Sequence, residues 1–353
     1  MDKDMIALSL NKHRPTLLTL GTGLCGGVLA HLMGLPAPAL LGSTLVVSAA
    51  ALSGQAMRTP VGLRHAAFTV IGCSLGSGFT PDFFARALLW PVSLLGQSLT
   101  LILIMLCSGW ILTRFFGHSR QTAILASSPG GLSFAIALAA AGVGNGQAIS
   151  VIQSLRLLFI VLGLPPLLLW IGLNGGEGTH KAPVLLTHLQ SLGLFMGAYL
   201  LGNSGARRRV PAAHIFAGML LSGGLHGFGL LRGTFPVLLL NLGFVITGAV
   251  IGSRFRGVTR QDLRQFLGAA TLTILTAITL SATAAWFMSH YLGISFGQVW
   301  IAYAPGGVEA MAAMAFSMGY DASFVATHHL FRILLLIGLV PFFLRLVGRV
   351  DAS

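Results

Sequence analysis

Two arginines stand where a charge is costly. Arg156 and Arg332 each lie inside a long apolar run, LRLLFIVLGLPPLLLW and FRILLLIGLVPFFL, at a spacing of 176 residues. At mid-bilayer depth an ionisable side chain costs from about 2.5 kcal/mol upward unless it is paired or hydrated, so both arginines are candidates for holding an anion. Gln153 and His329 stand three residues before them, on the same helical face, and His328 lies alongside. Glu309 is the only acid inside the apolar segments, and its counterpart at the same spacing is Ser133. A carboxylate present on one side only suits proton or ion coupling, and Glu309 and His328 are assigned that role. Two competing readings stay open: the arginines bind carbonyls freed by nearby prolines, or Glu309 forms a structural ion pair with Arg332.

Those prolines belong to Ser127-Ser128-Pro129-Gly130-Gly131 and Tyr303-Ala304-Pro305-Gly306-Gly307, again 176 residues apart. The register holds through Gly42/Gly218, Gly72/Gly248, Gly76/Gly252, Arg156/Arg332 and Pro165/Pro341, so the chain reads as two copies of one unit, 1–176 and 177–353. Proline removes a donor and clashes with the preceding turn, and two glycines let the backbone bend. Segments 120–143 and 297–318 therefore read as broken helices. The arms 120–128 and 132–143 reach about 14 to 18 Å, roughly half the apolar thickness of a bilayer. The simpler alternative is a proline kink in a spanning helix. Half-helices starting after Gly131 and Gly307 would present backbone donors to an anion. The expected lining is thus Ser127, Ser128, Ser133, Gly130, Gly131, Gly306 and Gly307, together with Gln153, Arg156, His329 and Arg332.

Composition supplies the setting. Residues AVILMFWYC make up 55% of the chain and DEKR 8%, against roughly 25% charged residues in a soluble domain. Apolar runs long enough to cross a bilayer occur at 15–34, 38–57, 61–79, 83–113, 145–172, 183–202, 213–231, 235–253, 266–289 and 322–347. The formal charge of +13 sits almost wholly in the short connections, which makes it a topology signal and not a nucleic-acid footprint. Lys3, Lys12 and Arg14 precede a long apolar run that reads as a retained first helix. With five crossings per half and re-entrant Pro-Gly-Gly segments, 16 basic residues fall on the cytoplasmic side and 3 outside; six crossings per half give 11 against 8. The expected fold is therefore an all-α membrane protein of two inverted-topology repeats. Each repeat has about five transmembrane helices and one Pro-Gly-Gly-broken segment, and the N-terminus is cytoplasmic.

Cys25, Cys73 and Cys107 all lie in apolar runs, which speaks against a disulfide framework or a metal cluster. His328 and His329 point about 100° apart on a helix and cannot easily hold one metal, and no H-E-x-x-H or C-x-x-C spacing occurs. No metal or cofactor is expected, and direct reading of nucleic acid would need a soluble recognition element.

The stretches S-P-G-G-L-S-F-A, A-P-G-G-V-E-A-M-A and G-L-P-A-P-A-L-L-G resemble the bacterial AbrB-type membrane protein family, in its two-copy form, over essentially the whole chain. The resemblance implies a multi-pass protein of the bacterial inner (plasma) membrane and a regulator of gene expression; some members carry the label of an ammonia monooxygenase. A metal-dependent oxygenase needs several converging ligands, so no enzyme is expected. Inverted halves, broken helices and charges at mid-depth are the features of a secondary transporter or transporter-like sensor, here for a small anionic solute. The alternatives are a non-transporting membrane regulator acting through a protein partner, and a membrane monooxygenase. The expected partners are the lipid bilayer and that solute, with room left for a homo-oligomer and none for nucleic acid.

Overall fold

The structure, a computed structural model, describes residues 3–79, 90–130, 135–136, 138–139, 141–173 and 185–350. Gly131 and Ser133 of the expected site lie outside the described residues. Among the described residues there are thirteen helices. They are α1 (Lys3–Leu32), α2 (Pro38–Leu52), α3 (Val61–Gly76), α4 (Trp90–Arg114), α5 (Arg120–Ser127), α6 (Gly146–Trp170) and α7 (His188–Arg207), followed by α8 (Ala213–Gly227), α9 (Val237–Ser253), α10 (Arg260–Leu292), α11 (Phe296–Tyr303), α12 (Val308–Ser317) and α13 (Ala322–Val350).

Among the described residues five helices are long and apolar enough to cross a membrane: Arg14–Leu32 within α1, then α4, α6, α10, and Ala322–Val347 within α13. Each of the ten apolar runs expected to span overlaps a helix among the described residues, with 83–89 and 183–184 lying outside them. Four of them are shorter than expected, because α2, α3, α8 and α9 hold 15, 16, 15 and 17 residues. At 1.5 Å rise those helices reach about 22 to 26 Å, less than the roughly 30 Å of a hydrocarbon core.

The chain forms two compact units, Met1–Thr80 with Thr179–Thr259, and Pro81–Gly178 with Arg260–Ser353. Each unit draws on both 1–176 and 177–353. The first contains α1 to α3 and α7 to α9, the second α4 to α6 and α10 to α13.

In the first unit small residues set the packing. A Cβ on Gly76 of α3 would come within 2.6 Å of Gly223 N and Met219 O on α8, and one on Gly72 would meet the backbone of Ile215. Helix α9 approaches α2 in the same manner: a Cβ on Gly248 would lie 2.6 Å from Leu40 O, and one on Gly252 2.8 Å from Ser48 N. Lipid tails are as apolar as leucine, so helices in a bilayer associate through close van der Waals contact, and glycines four residues apart allow it. Gly72→Leu or Gly248→Leu is expected to destabilise the detergent-solubilised protein by about 1–3 kcal/mol or more, measured by thermal melting. Gly224→Ala on α8 is the control, since nothing lies within 4 Å of its added methyl group, and it is expected to melt unchanged.

The second unit carries the interrupted segments. Helices α5, α11 and α12 hold 8, 8 and 10 residues, so each reaches about 12 to 15 Å, half a hydrocarbon core. Polar side chains cap α5, α11 and the long helices α6 and α13, whereas α12 starts at Gly307 without a side-chain cap. Ser119 Oγ accepts from Thr122 N at 3.2 Å and Ser295 Oγ from Gln298 N at 3.4 Å. Asn145 caps α6 through Ala148 N at 3.1 Å, and Asp321 caps α13 through the amides of Ser323 and Phe324, both at 3.0 Å.

Candidate functional site

A helix that stops inside an apolar unit leaves its last carbonyls without intrahelical partners. At the end of α5 each is supplied from nearby. Ile124 O accepts from Ser128 N at 3.1 Å. Leu125 O accepts from the Ser128 hydroxyl at 2.9 Å and from Gln153 Nε2 at 2.6 Å. Arg156 Nη1 donates to Ala126 O and Ser127 O, both at 3.2 Å, while Nη2 donates to Ser128 O at 3.0 Å. A cation at a helix C-terminus also complements the helix dipole. The Ser127 hydroxyl turns back onto Ile124 O at 3.1 Å. Ser127, Ser128, Gln153 and Arg156 thus come together at the end of α5, with their donors engaged in holding the break.

The end of α11 is built alike. Trp300 O accepts from Ala304 N at 2.8 Å, Ile301 O from His329 Nε2 at 2.9 Å, and Ala302 O from Gln97 Nε2 at 2.9 Å. Arg332 Nη1 donates to Ala304 O at 2.9 Å, and its Nη2 donates to Gly306 O. Gln153 and His329 therefore do one job on carbonyls 176 residues apart. His328 points elsewhere: its Nδ1 donates to Phe324 O at 2.9 Å, and its Nε2 accepts from the Ser93 hydroxyl at 2.8 Å. The Tyr303 hydroxyl donates to Ser93 O at 2.6 Å.

Some capacity at this break is left over. Arg332 Nε, His329 Nδ1 and Gln97 Oε1 are buried and have no hydrogen-bond partner among the described residues. Gly130, with φ of 91°, is exposed, and a Cβ on it would lie 3.1 Å from Arg332 Nη2 and 3.5 Å from Nε. The bare α-carbon of the first break thus faces the guanidinium of the second. On the other side of Pro305, Gly307 caps α12 and Glu309 stands in its first turn, both half-buried. The Glu309 carboxylate is 3.3 Å from where a Gly307 Cβ would sit, at the helix end that favours negative charge.

Ser93, Gln97 and Tyr303 were not among the expected residues. A signal existed: Ser93, Gln97 and Thr100 recur at helical spacing in an otherwise apolar run, and all three are buried. Among the described residues no three of His, Cys, Asp or Glu gather where they could hold a metal ion.

Apolar helices, several of spanning length, together with short ones tied by buried arginines, make this a multi-helix membrane protein with discontinuous helices. A family model described as "Transition state regulatory protein AbrB" matches residues 39–348, and the chain belongs to that family. It is similar to "Putative regulator AbrB" of Escherichia coli (strain K12), 26% identical over 309 residues, covering 85% of this chain and 88% of that one. It is also similar to "Uncharacterized protein YhjN" of Bacillus subtilis (strain 168), 27% identical over 277 residues and covering 71% and 70%.

Removing the guanidinium at the first break strands three carbonyls, each costing about 1–3 kcal/mol when buried without a partner. Arg156→Leu is therefore expected to lower stability by at least about 3 kcal/mol, read as loss of monodisperse protein on size exclusion. Arg156→Lys, whose ammonium cannot span all three acceptors, should fall between wild type and Arg156→Leu.

Proposed function

We propose that the chain is a secondary transporter, or a transporter-like sensor, for a small anionic solute held where Gly130 lies against Arg332. One observation carries this reading: a guanidinium only 2% exposed keeps its Nε without a partner among the described residues, beside an exposed glycine. Arg332 supplies countercharge, Arg156 adds to it from across the break, and the N-terminal turn of α12, where Glu309 stands, supplies backbone donors. The two repeats, 1–176 and 177–353, are inverted with the N-terminus in the cytoplasm. The helix bounds favour two equivalent halves, since α5 at 120–127 and α11 at 296–303 have the sequence spacing of 176. Broken helices in inverted repeats are how secondary transporters place a site near mid-membrane.

Purified protein in liposomes should show saturable uptake of at least one of pyruvate, succinate and citrate. Gly130→Ala, which puts a methyl group against the guanidinium, should cut that uptake about tenfold or more, equivalent to roughly 1.4 kcal/mol. No uptake of any of these acids, or unchanged uptake in both Gly130→Ala and Arg332→Lys, sinks the reading. Topology is tested separately: a reporter fused after Gly175 should report outside and one after Gly205 inside, and both on one side would overturn the inversion.

A second reading, a regulator acting through a protein partner, is favoured by the name of the Escherichia coli relative. The basic stretches 203–211, at the end of α7, and 254–264, leading into α10, which carry Arg207, Arg208, Arg209, Arg254, Arg256, Arg260 and Arg264, would be its docking points. A stable complex with a cytosolic protein, lost when those arginines are replaced, together with absent flux would favour it.

A further inference from the structure

Three side chains wrap the carbonyl end of α11, and each keeps one polar atom without a partner among the described residues: Gln97 Oε1, His329 Nδ1 and Arg332 Nε. Of the three, only histidine changes charge near neutral pH. The Nε2 of His329 faces Ile301 O at 2.9 Å, and a carbonyl only accepts. Nε2 therefore carries the hydrogen, and Nδ1 holds a free lone pair. His328 lacks that freedom, because its Nδ1–H is on Phe324 O and its Nε2 already accepts from Ser93. At the first break the same carbonyl contact is made by Gln153, whose amide takes no proton.

We propose that His329 Nδ1 takes up a proton together with the anion, so that solute uptake is proton-linked. The proposal rests on the anion site at Gly130 and Arg332. The charge facing this ring is Arg332, one turn along on α13, with His328 beside it as a titratable neighbour; Arg156 on α6 and Glu309 on α12 act on Arg332, Tyr303 packs against His328, and α4 presents neutral Gln97 and Ser93. His329 and Arg332 lie one turn apart on α13, so like charges on the two repel. An anion on Arg332 offsets that repulsion, so anion and proton favour each other's binding, and by linkage each strengthens the other equally. The step is a plain protonation: an N–H bond forms at Nδ1 with a proton from water on one side, no electrons are exchanged, and the proton leaves when the anion does.

The test uses the full chain in liposomes with radiolabelled pyruvate, succinate and citrate, protein-free vesicles being subtracted. An alkaline interior should speed wild-type uptake several-fold. His329→Gln copies the Gln153 arrangement; it should lower uptake, and the remaining rate should no longer respond to the gradient. Gly130→Ala should lower uptake and keep the response. Wild-type uptake indifferent to the gradient, or a response that survives in His329→Gln, overturns the proton site and leaves the transport reading standing. Absence of any wild-type uptake removes both. If His329→Gln is not recovered folded, calorimetry of the wild type with the same acids in two buffers of different ionisation enthalpy decides: proton uptake on binding supports the proposal, and none overturns it.

Discussion

A backbone carbonyl in hydrocarbon has no water to turn to, and that constraint shapes the second unit. A helix interrupted at Pro129 or Pro305 leaves several carbonyls free, each costing several kcal/mol if unanswered. Burying an arginine also costs from about 2.5 kcal/mol upward. One guanidinium answers three carbonyls at the first break and two at the second, so the two costs offset each other. The arginines and the interruptions require one another: without the breaks a buried charge has no partners, and without the charge the breaks leave orphaned acceptors.

The two breaks share a backbone plan and differ in chemistry. At the first, a serine hydroxyl, an amide and a guanidinium meet the α5 carbonyls. At the second, positions at the same spacing carry a tyrosine for Ser127, a histidine for Gln153 and a glutamate for Ser133. Each of these changes introduces a group that can exchange a proton, and the second break is also where polar atoms stay unused. A purely architectural tie would have no need of such groups, since Gln153 shows that a neutral amide holds the carbonyl at 2.6 Å.

Much of this was legible in the chain itself. Arginines inside apolar runs, paired at one spacing with Pro-Gly-Gly, mark the breaks and the residues that hold them, and Asn145 and Asp321 stand just where caps belong. Residue type and depth could not decide whether Arg156 and Arg332 serve a ligand or the backbone, because that depends on where five carbonyls point. Ser93 and Gln97 were missed because they come from a helix far from the motif in sequence, and their spacing of four was the only trace. The grouping of helices was also hidden. A repeated sequence states which segments are alike, whereas packing follows close contacts such as those at Gly72 and Gly248, and each compact unit draws on both halves. Helix length was overestimated for a related reason: apolar composition runs on through the turns after Leu52, Gly76 and Gly227, and hydropathy does not register the turn.

Charge balance narrows what the proposed site could accept. Two arginines, Arg156 and Arg332, stand against the single carboxyl group of Glu309 around the breaks, an excess of at least one positive charge, and an uncompensated buried charge is costly. A bound monoanion would cancel it, so a proton on His329 gains least there. A dianion would overshoot by one negative charge, and a proton on His329 would restore neutrality. On this argument proton linkage is strongest for dicarboxylates and weakest for monocarboxylates. The preference would follow from the number of fixed charges at the breaks, independently of the shape of the solute.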